Sequence, residues 1–202
     1  MNNYDRMLLA ARQRFLEYDP EILGQKPGVT DLGSELATCF FGQQTIIRKA
    51  DGQILLDGRS AGFGEGLSVL DWLCDRKPDA AASMEFCPIG SLPGVYVGGG
   101  NLSMDMPSLA RSIQENPDGF RDACIKMGAE PQEMGDLGFR LQIFPDLPMC
   151  LKFYFADEEF PPSLTFLWDK NTLDFVRYET VYYIAGVLRD RLMKVFDSVY
   201  SA

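Results

Sequence analysis

The chain has 202 residues, 46% of them hydrophobic, enough to bury one substantial core and slightly short for two ordinary domains, so a single domain over residues 1–202 is expected. Its formal charge of -10 argues against nucleic acid and membrane surfaces as partners, because Lys and Arg occur singly or in pairs and form no basic stripe. The absence of histidine excludes Ser-His-Asp and Cys-His nucleophile activation, His-bearing zinc sites and a proximal-His haem.

Near the N-terminus, Tyr4, Met7, Leu8, Ala11 and Phe15 recur at spacings of three and four, which predicts an amphipathic helix packed on one face and stopped by Pro20. Arg6, Arg12, Arg14 and Glu17 interrupt its apolar residues. The segment is therefore neither a signal-peptide core nor a membrane span, and a cytoplasmic location is expected. Residues 37–56, "ATCFFGQQTIIRKADGQILL", read as a three-stranded meander punctuated by Gly42 and by Asp51-Gly52, a hairpin turn signal. In "GLSVLDWLCDRKP", Leu67, Leu70, Trp72, Leu73 and Cys74 predict a short, mostly buried helix closed by Pro78.

"SMEFCPIGSLPGVYVGGGNL" contains two short strand-like pieces, and the following "MDMPSLARSIQENPDGFRDACIKMGAEP" reads as two helices. Asp105 and Asn116 are the expected N-caps, with Pro107 and Pro117 in the first turns. The period then shortens to two in "LGFRLQIF", where Phe139, Leu141 and Ile143 alternate with Arg140 and Gln142. Pro145 to Pro148 is expected to turn the chain into a second strand, "MCLKFYF", and a third follows at "SLTFLW". Val181, Ile184, Ala185, Leu188, Leu192, Val195, Phe196 and Val199 form the stripe of a C-terminal helix, with Arg189, Arg191 and Lys194 toward the end that favours cations. Together these elements predict an α+β domain, an antiparallel sheet of hairpins and meanders covered on one face by helices.

The five cysteines, Cys39, Cys74, Cys87, Cys124 and Cys150, are an odd number, widely spaced among apolar neighbours, and are expected to be reduced core thiols. No C-x-x-C pair exists, and no metal site is expected. Two glycine stretches are candidate ligand loops. "GFGEGL", 62–67, lacks the third glycine of a dinucleotide fingerprint at Leu67, and the chain has no Gly-Lys-Ser/Thr ending for a phosphate loop, so a plain mobile loop is expected there and no cofactor. "VYVGGGN" is the better candidate, since a short strand runs into Gly98, Gly99 and Gly100 just before a helix, although glycine also serves any sharp bend.

Between the last two strands lies "ADEEFPPS", where Asp157 and Glu159 point to one side of an extended chain and could converge on a hard cation or a ligand. The structural alternative is a turn in which Phe160 buries its ring against the sheet or the C-terminal helix, Pro161 and Pro162 fix the backbone, and the acids keep the tip soluble.

The stretch "GAEPQEMGDLGFRLQIFPDLPMCLKFYFADEEFPPSLTFLWDKN" resembles the C-terminal half of a family of uncharacterised prokaryotic proteins, a domain of unknown function common in anaerobes. The shared pattern is a D-x-E-F-P turn and a following strand ending in Asp, which fall here on Asp157, Glu159, Phe160, Pro161 and Asp169. Some relatives carry the domain beside a cysteine-rich iron–sulfur segment, so the resemblance implies a setting near low-potential redox or corrinoid chemistry. This chain lacks clustered cysteines, so that role requires an iron–sulfur or corrinoid protein as a separate partner. The expectation is a binding or accessory module, monomeric or a small homo-oligomer, recognising a small molecule or a protein. Its rival is a cofactor-dependent or metal-assisted enzyme using Asp157, Glu159 and Asp169.

Overall fold

A computed structural model of the chain describes residues 3–95 and 106–200. It is an α+β fold in which the antiparallel strands divide into two five-stranded sheets. The first sheet is a continuous meander of β1 (Thr30–Asp31), β2 (Glu35–Phe40), β3 (Gln43–Arg48), β4 (Ile54–Leu56) and β5 (Arg59–Ser60), paired in chain order. Its tight connections explain themselves. Phe41-Gly42 and Asp57-Gly58 are two-residue loops with positive φ at both positions, the mirror-image turn whose twist matches the flanking strands. The Asp51-Gly52 turn has the expected glycine at positive φ, and the Asp51 carboxylate accepts from the Gln53 N–H at 3.1 Å.

The second sheet has the order β6-β10-β9-β8-β7, built from β6 (Phe86–Pro88), β7 (Glu130–Gln132), β8 (Leu137–Phe144), β9 (Leu147–Tyr154) and β10 (Ser163–Asp169). Only Pro145 and Asp146 separate β8 from β9, a shorter turn than the sequence suggests, because Pro148 sits inside β9 opposite Gln142, where the register shifts. A proline is tolerated at such an irregularity, and Pro131 is tolerated for a related reason on the edge strand β7.

Among the described residues, seven α-helices pack around the sheets: α1 (Asn3–Leu16), α2 (Pro20–Gly24), α3 (Phe63–Asp75), α4 (Pro107–Glu115), α5 (Pro117–Lys126), α6 (Thr172–Phe175) and α7 (Tyr178–Tyr200). Pro20 does not merely stop α1. It opens α2, whose N-cap Asp19 accepts from the Glu21 N–H at 2.9 Å. Asn116 caps α5 as expected, its Oδ1 accepting from the Gly119 N–H at 2.9 Å. Asp105 lies outside the described residues, as does most of the second strand-like piece of the middle region, and α4 begins after Met106 with no side-chain cap. No described helix is long and apolar enough to cross a membrane.

Helix α3 is the central member. All nine residues from Gly66 to Cys74 are buried, including Ser68 and Asp71, so it is enclosed on every side rather than on one face. The "GFGEGL" glycines are its first turns, not a loop. A side chain at Gly66 would meet Leu8 Cδ1 at 2.9 Å and one at Gly64 would meet Val187 Cγ2 at 3.3 Å, so these glycines let α1 and α7 approach closely. An ionic clamp joins the same three helices: Arg14 of α1 and Thr180 of α7 donate to the two oxygens of Asp71, each at 2.5 Å. One residue further along α3 the indole of Trp72 stacks on Phe144 at 4.4 Å, and Phe144 stacks on Phe40 at 5.0 Å, which brings the ends of β8 and β2 together. The Phe41 N–H donates to the Ile143 carbonyl at 2.9 Å, a backbone link between the two sheets.

Four cysteines are buried, and burial pushes their thiols up, Cys74 to about 12 and Cys150 to about 11. Cys39 differs from the expectation. It is exposed because it takes an outward position in the alternating pattern of β2.

Candidate functional site

The three carboxylates singled out in the sequence do not meet. Asp157 and Glu159 precede β10, whereas Asp169 is its last residue, and a seven-residue strand spans about 20 Å. Asp169 is buried and spent on the fold: its oxygens accept from the N–H groups of Ser83, Met84 and Asn171 at 3.0, 2.7 and 2.8 Å, and from the Ser83 hydroxyl at 3.0 Å. It fastens the strap before β6 to the end of β10. Gly98, Gly99 and Gly100 lie outside the described residues.

Asp157 orders the loop by its own hydrogen bonds. Its Oδ1 accepts from the Glu159 and Phe160 N–H groups at 2.8 and 2.7 Å, and its N–H donates to the Phe160 carbonyl at 3.0 Å. These bonds hold the carboxyl below its ordinary value. Glu159 is exposed and faces solvent. The expected anchoring by Phe160 is not found: its ring is 66% exposed, because the Asp157 side chain supplies the order that ring burial was expected to supply. Phe160→Ala should therefore shift unfolding free energy by no more than about 0.5 kcal/mol, as exposed substitutions do. Urea denaturation checks this, and a loss of several kcal/mol would contradict the exposed placement.

A large cavity lies elsewhere, where the N-terminus of α3, the β2–β3 turn, the end of α5 and the outer face of α7 come together. It encloses about 820 Å³. Phe41, Met127, Val187 and Val195 supply its apolar wall, and Arg59, Lys126, Arg191 and Lys194 bring four cations against the carboxylates of Glu65 and Asp190. For a chain of charge -10 this is an unusual concentration of positive charge.

Each wall has a local cause. Gly128 takes positive φ after α5, where its N–H and that of Ala129 return to the Ile125 and Cys124 carbonyls at 2.9 Å each, the paired bonds of a glycine-terminated helix. That stop places Lys126 and Met127 at the cavity. Phe41 stands at φ 49°, a conformation rare for a bulky residue and costly by about 1–3 kcal/mol. The Arg191 guanidinium lies 5.1 Å from the Phe40 ring centroid and 5.6 Å from that of Phe41, and it donates to the Phe40 carbonyl at 3.2 Å.

Glu65 organises the cations. Its carboxylate accepts from the N-cap Gly62 N–H at 2.9 Å, the return half of a capping box, from Arg59 at 2.8 and 2.5 Å, and from Arg191 at 3.0 Å. Burial alone would push this carboxyl up, but the bonds from Arg59, Gly62 and Arg191 outweigh it and hold the group at about 2. Burial lowers the Arg191 pKa from its ordinary value, against the attraction of Glu65, and a guanidinium so lowered still carries its charge at neutral pH. Glu65 is thus a fixed anion, unsuited to giving or taking a proton near neutrality, and it sets the side chains of two arginines in place. Sequence reasoning passed over this cluster because its members lie at 59, 65, 126, 191 and 194, far apart in the chain.

No group of three or more Cys, Asp or Glu that could hold a metal ion occurs among the described residues. No curated protein and no solved structure matches the chain. A family model does, over residues 19–191, which takes in both sheets, α3 and most of the cavity wall. The chain belongs to the family described as a domain of unknown function, DUF3786.

Proposed function

We propose that this chain is a binding module without catalytic chemistry of its own, and that its ligand is an organic anion with an apolar body. The observation that carries this reading is the 820 Å³ cavity, which pairs a wall of Phe41, Met127, Val187 and Val195 with four cations. Its size falls within the range of small-molecule sites, and a few placed charges beside apolar side chains are what such sites use to fix orientation. Arg59 and Arg191 are already oriented by Glu65, so an incoming anion would find them pre-set. Lys126 and Lys194 are exposed and free to move toward it. The titratable groups of the cavity support binding over catalysis, since the central carboxyl is held at about 2.

Anilinonaphthalene sulfonate joins an aromatic body to one anionic group and serves as the probe. Its fluorescence should rise on a single-site isotherm, citrate or a nucleoside monophosphate should compete with it, and Lys126→Gln/Lys194→Gln should weaken it about tenfold, the size expected for losing two charge contacts. Unchanged affinity in that double variant would sink the assignment.

A further inference from the structure

Away from the cavity, the loop from Tyr154 to Ser163 keeps three aromatic rings in solvent: Tyr154, Phe155 and Phe160 are 45%, 37% and 66% exposed. They are not on a loose tip. The Phe155 N–H donates to Asp136 Oδ2 at 2.7 Å, the Ala156 N–H to Gln114 Oε1 at 2.8 Å, and Asp157 closes the turn as described. Phe155 also meets the buried Phe153 edge-on at 5.2 Å. A backbone tied at three points therefore presents Phe155, Phe160 and Pro161 around a groove of about 740 Å³. Holding apolar rings outward on a fixed frame opposes the hydrophobic effect and marks an interaction surface rather than a packing accident.

Charge decides what fits it. Asp136 and Asp157 line the groove, and the exposed Glu158 and Glu159 adjoin it in the chain. Two copies of a chain of charge -10 would bring these acids face to face, and anionic headgroups would meet the same repulsion. Tyr154, which lines the groove, already carries a cation against its ring: the ammonium of Lys152, itself outside the groove lining, lies 5.2 Å from the ring centroid.

We propose that this loop docks an extended, cation-rich segment of a protein partner, with apolar side chains of the segment seated between Phe155 and Phe160 and its Lys or Arg residues facing Asp136, Asp157, Glu158 and Glu159. Pro161 and Pro162 donate no backbone hydrogen bond, so side chains and charge carry the recognition. The site is separate from the cation-lined cavity and stands whether or not that cavity binds an anion.

Fluorescence anisotropy with two labelled synthetic peptides tests the proposal, one combining Arg with Leu and Pro, the other combining Arg with Ser at the same charge. The first should bind the full chain more tightly than the second. Phe160→Ser, whose melting should match wild type because the ring is exposed, should weaken the first peptide about tenfold, the loss typical of an aromatic anchor. Glu158→Gln/Glu159→Gln should weaken it and flatten its salt dependence, whereas Glu17→Gln/Glu21→Gln, an equal charge change just after α1 and within α2, should leave it unchanged. Equal binding of the two peptides, equal losses in both charge variants, or no binding of either would overturn the proposal. So would a dimer in sedimentation that Phe160→Ser dissolves, or adsorption to anionic vesicles that depends on Phe160.

Discussion

Replacing Arg76 by Leu should cost about 3 kcal/mol of unfolding free energy, the low end of the range for breaking a buried ion pair from one side. Arg76 follows α3 directly, and only 3% of its side chain is exposed. Its guanidinium contacts Asp146 in the β8–β9 turn, donates to the Pro27 carbonyl at 2.8 Å, and lies 5.8 and 5.2 Å from the ring centroids of Trp72 and Phe175. Burial pushes the Asp146 carboxyl up, and Arg76 is the chief group opposing that shift. Removing the cation leaves a carboxylate poorly solvated. Its 23% exposure relieves part of the penalty, which is why the lower figure applies. The double variant Arg76→Leu/Asp146→Leu should recover most of the loss, since no unpaired charge remains. Urea unfolding of the two variants checks the pair, and a double variant as unstable as the single one would show that Arg76 acts through Pro27 and the rings instead.

Acid should remove a comparable contribution at Glu65. Its folded-state value of about 2 lies below its ordinary value of 4.5, so its carboxylate contributes stability in full above about pH 4.5 and loses it as the pH falls toward 2. A depression of that size corresponds to about 3 kcal/mol. Asp71 and Asp146 act in the opposite sense, because burial raises both, and their contribution declines as the pH rises above their ordinary 3.8. Glu65→Gln should accordingly be most destabilising near neutrality, and its deficit against wild type should narrow between about pH 5 and 2. Chemical denaturation across that range reads the difference. A deficit independent of pH would mean that the capping bond to Gly62, rather than the charge shared with Arg59 and Arg191, accounts for the effect.

The elements that the sequence makes plain are those with long periodic patterns. The stripe of α7 is buried at Val181, Ile184, Ala185, Leu188, Leu192 and Phe196, and the alternation of β8 places Phe139, Leu141 and Ile143 inside. The two-residue strands β1 and β5 and the short α2 and α6 show no periodic pattern, because two strand residues or four to five helical residues do not repeat a period. The glycines before Leu67 read as a breaker of helix, and only the approach of Leu8 and Val187 explains why α3 keeps them. Phe160 misled for a related reason. An aromatic residue in a tip suggests burial, but Asp157, its neighbour by three, had already satisfied the turn. The cavity was partly legible: Arg191 falls between Leu188 and Leu192 on the apolar stripe, a cation placed where burial was due, and Phe41-Gly42 is a two-residue turn with a bulky residue where Asn or Asp is usual. Nothing in the sequence ties either to Arg59 or Lys126.

Synthesis makes the cavity late. Its walls come from residues 41–43, 59–65, 126–128 and 187–198, and the last of these belong to α7. While the chain is being made, the meander and α3 emerge early, with Arg59 and Glu65 only six residues apart, but Arg191 and Val195 arrive only after every other wall. Contacts this distant in sequence close slowly and leave earlier apolar surface uncovered in the meantime. A chain cut short before α7 would possess neither the second guanidinium nor half of the apolar lining. The cavity is therefore complete only once α7 is in place.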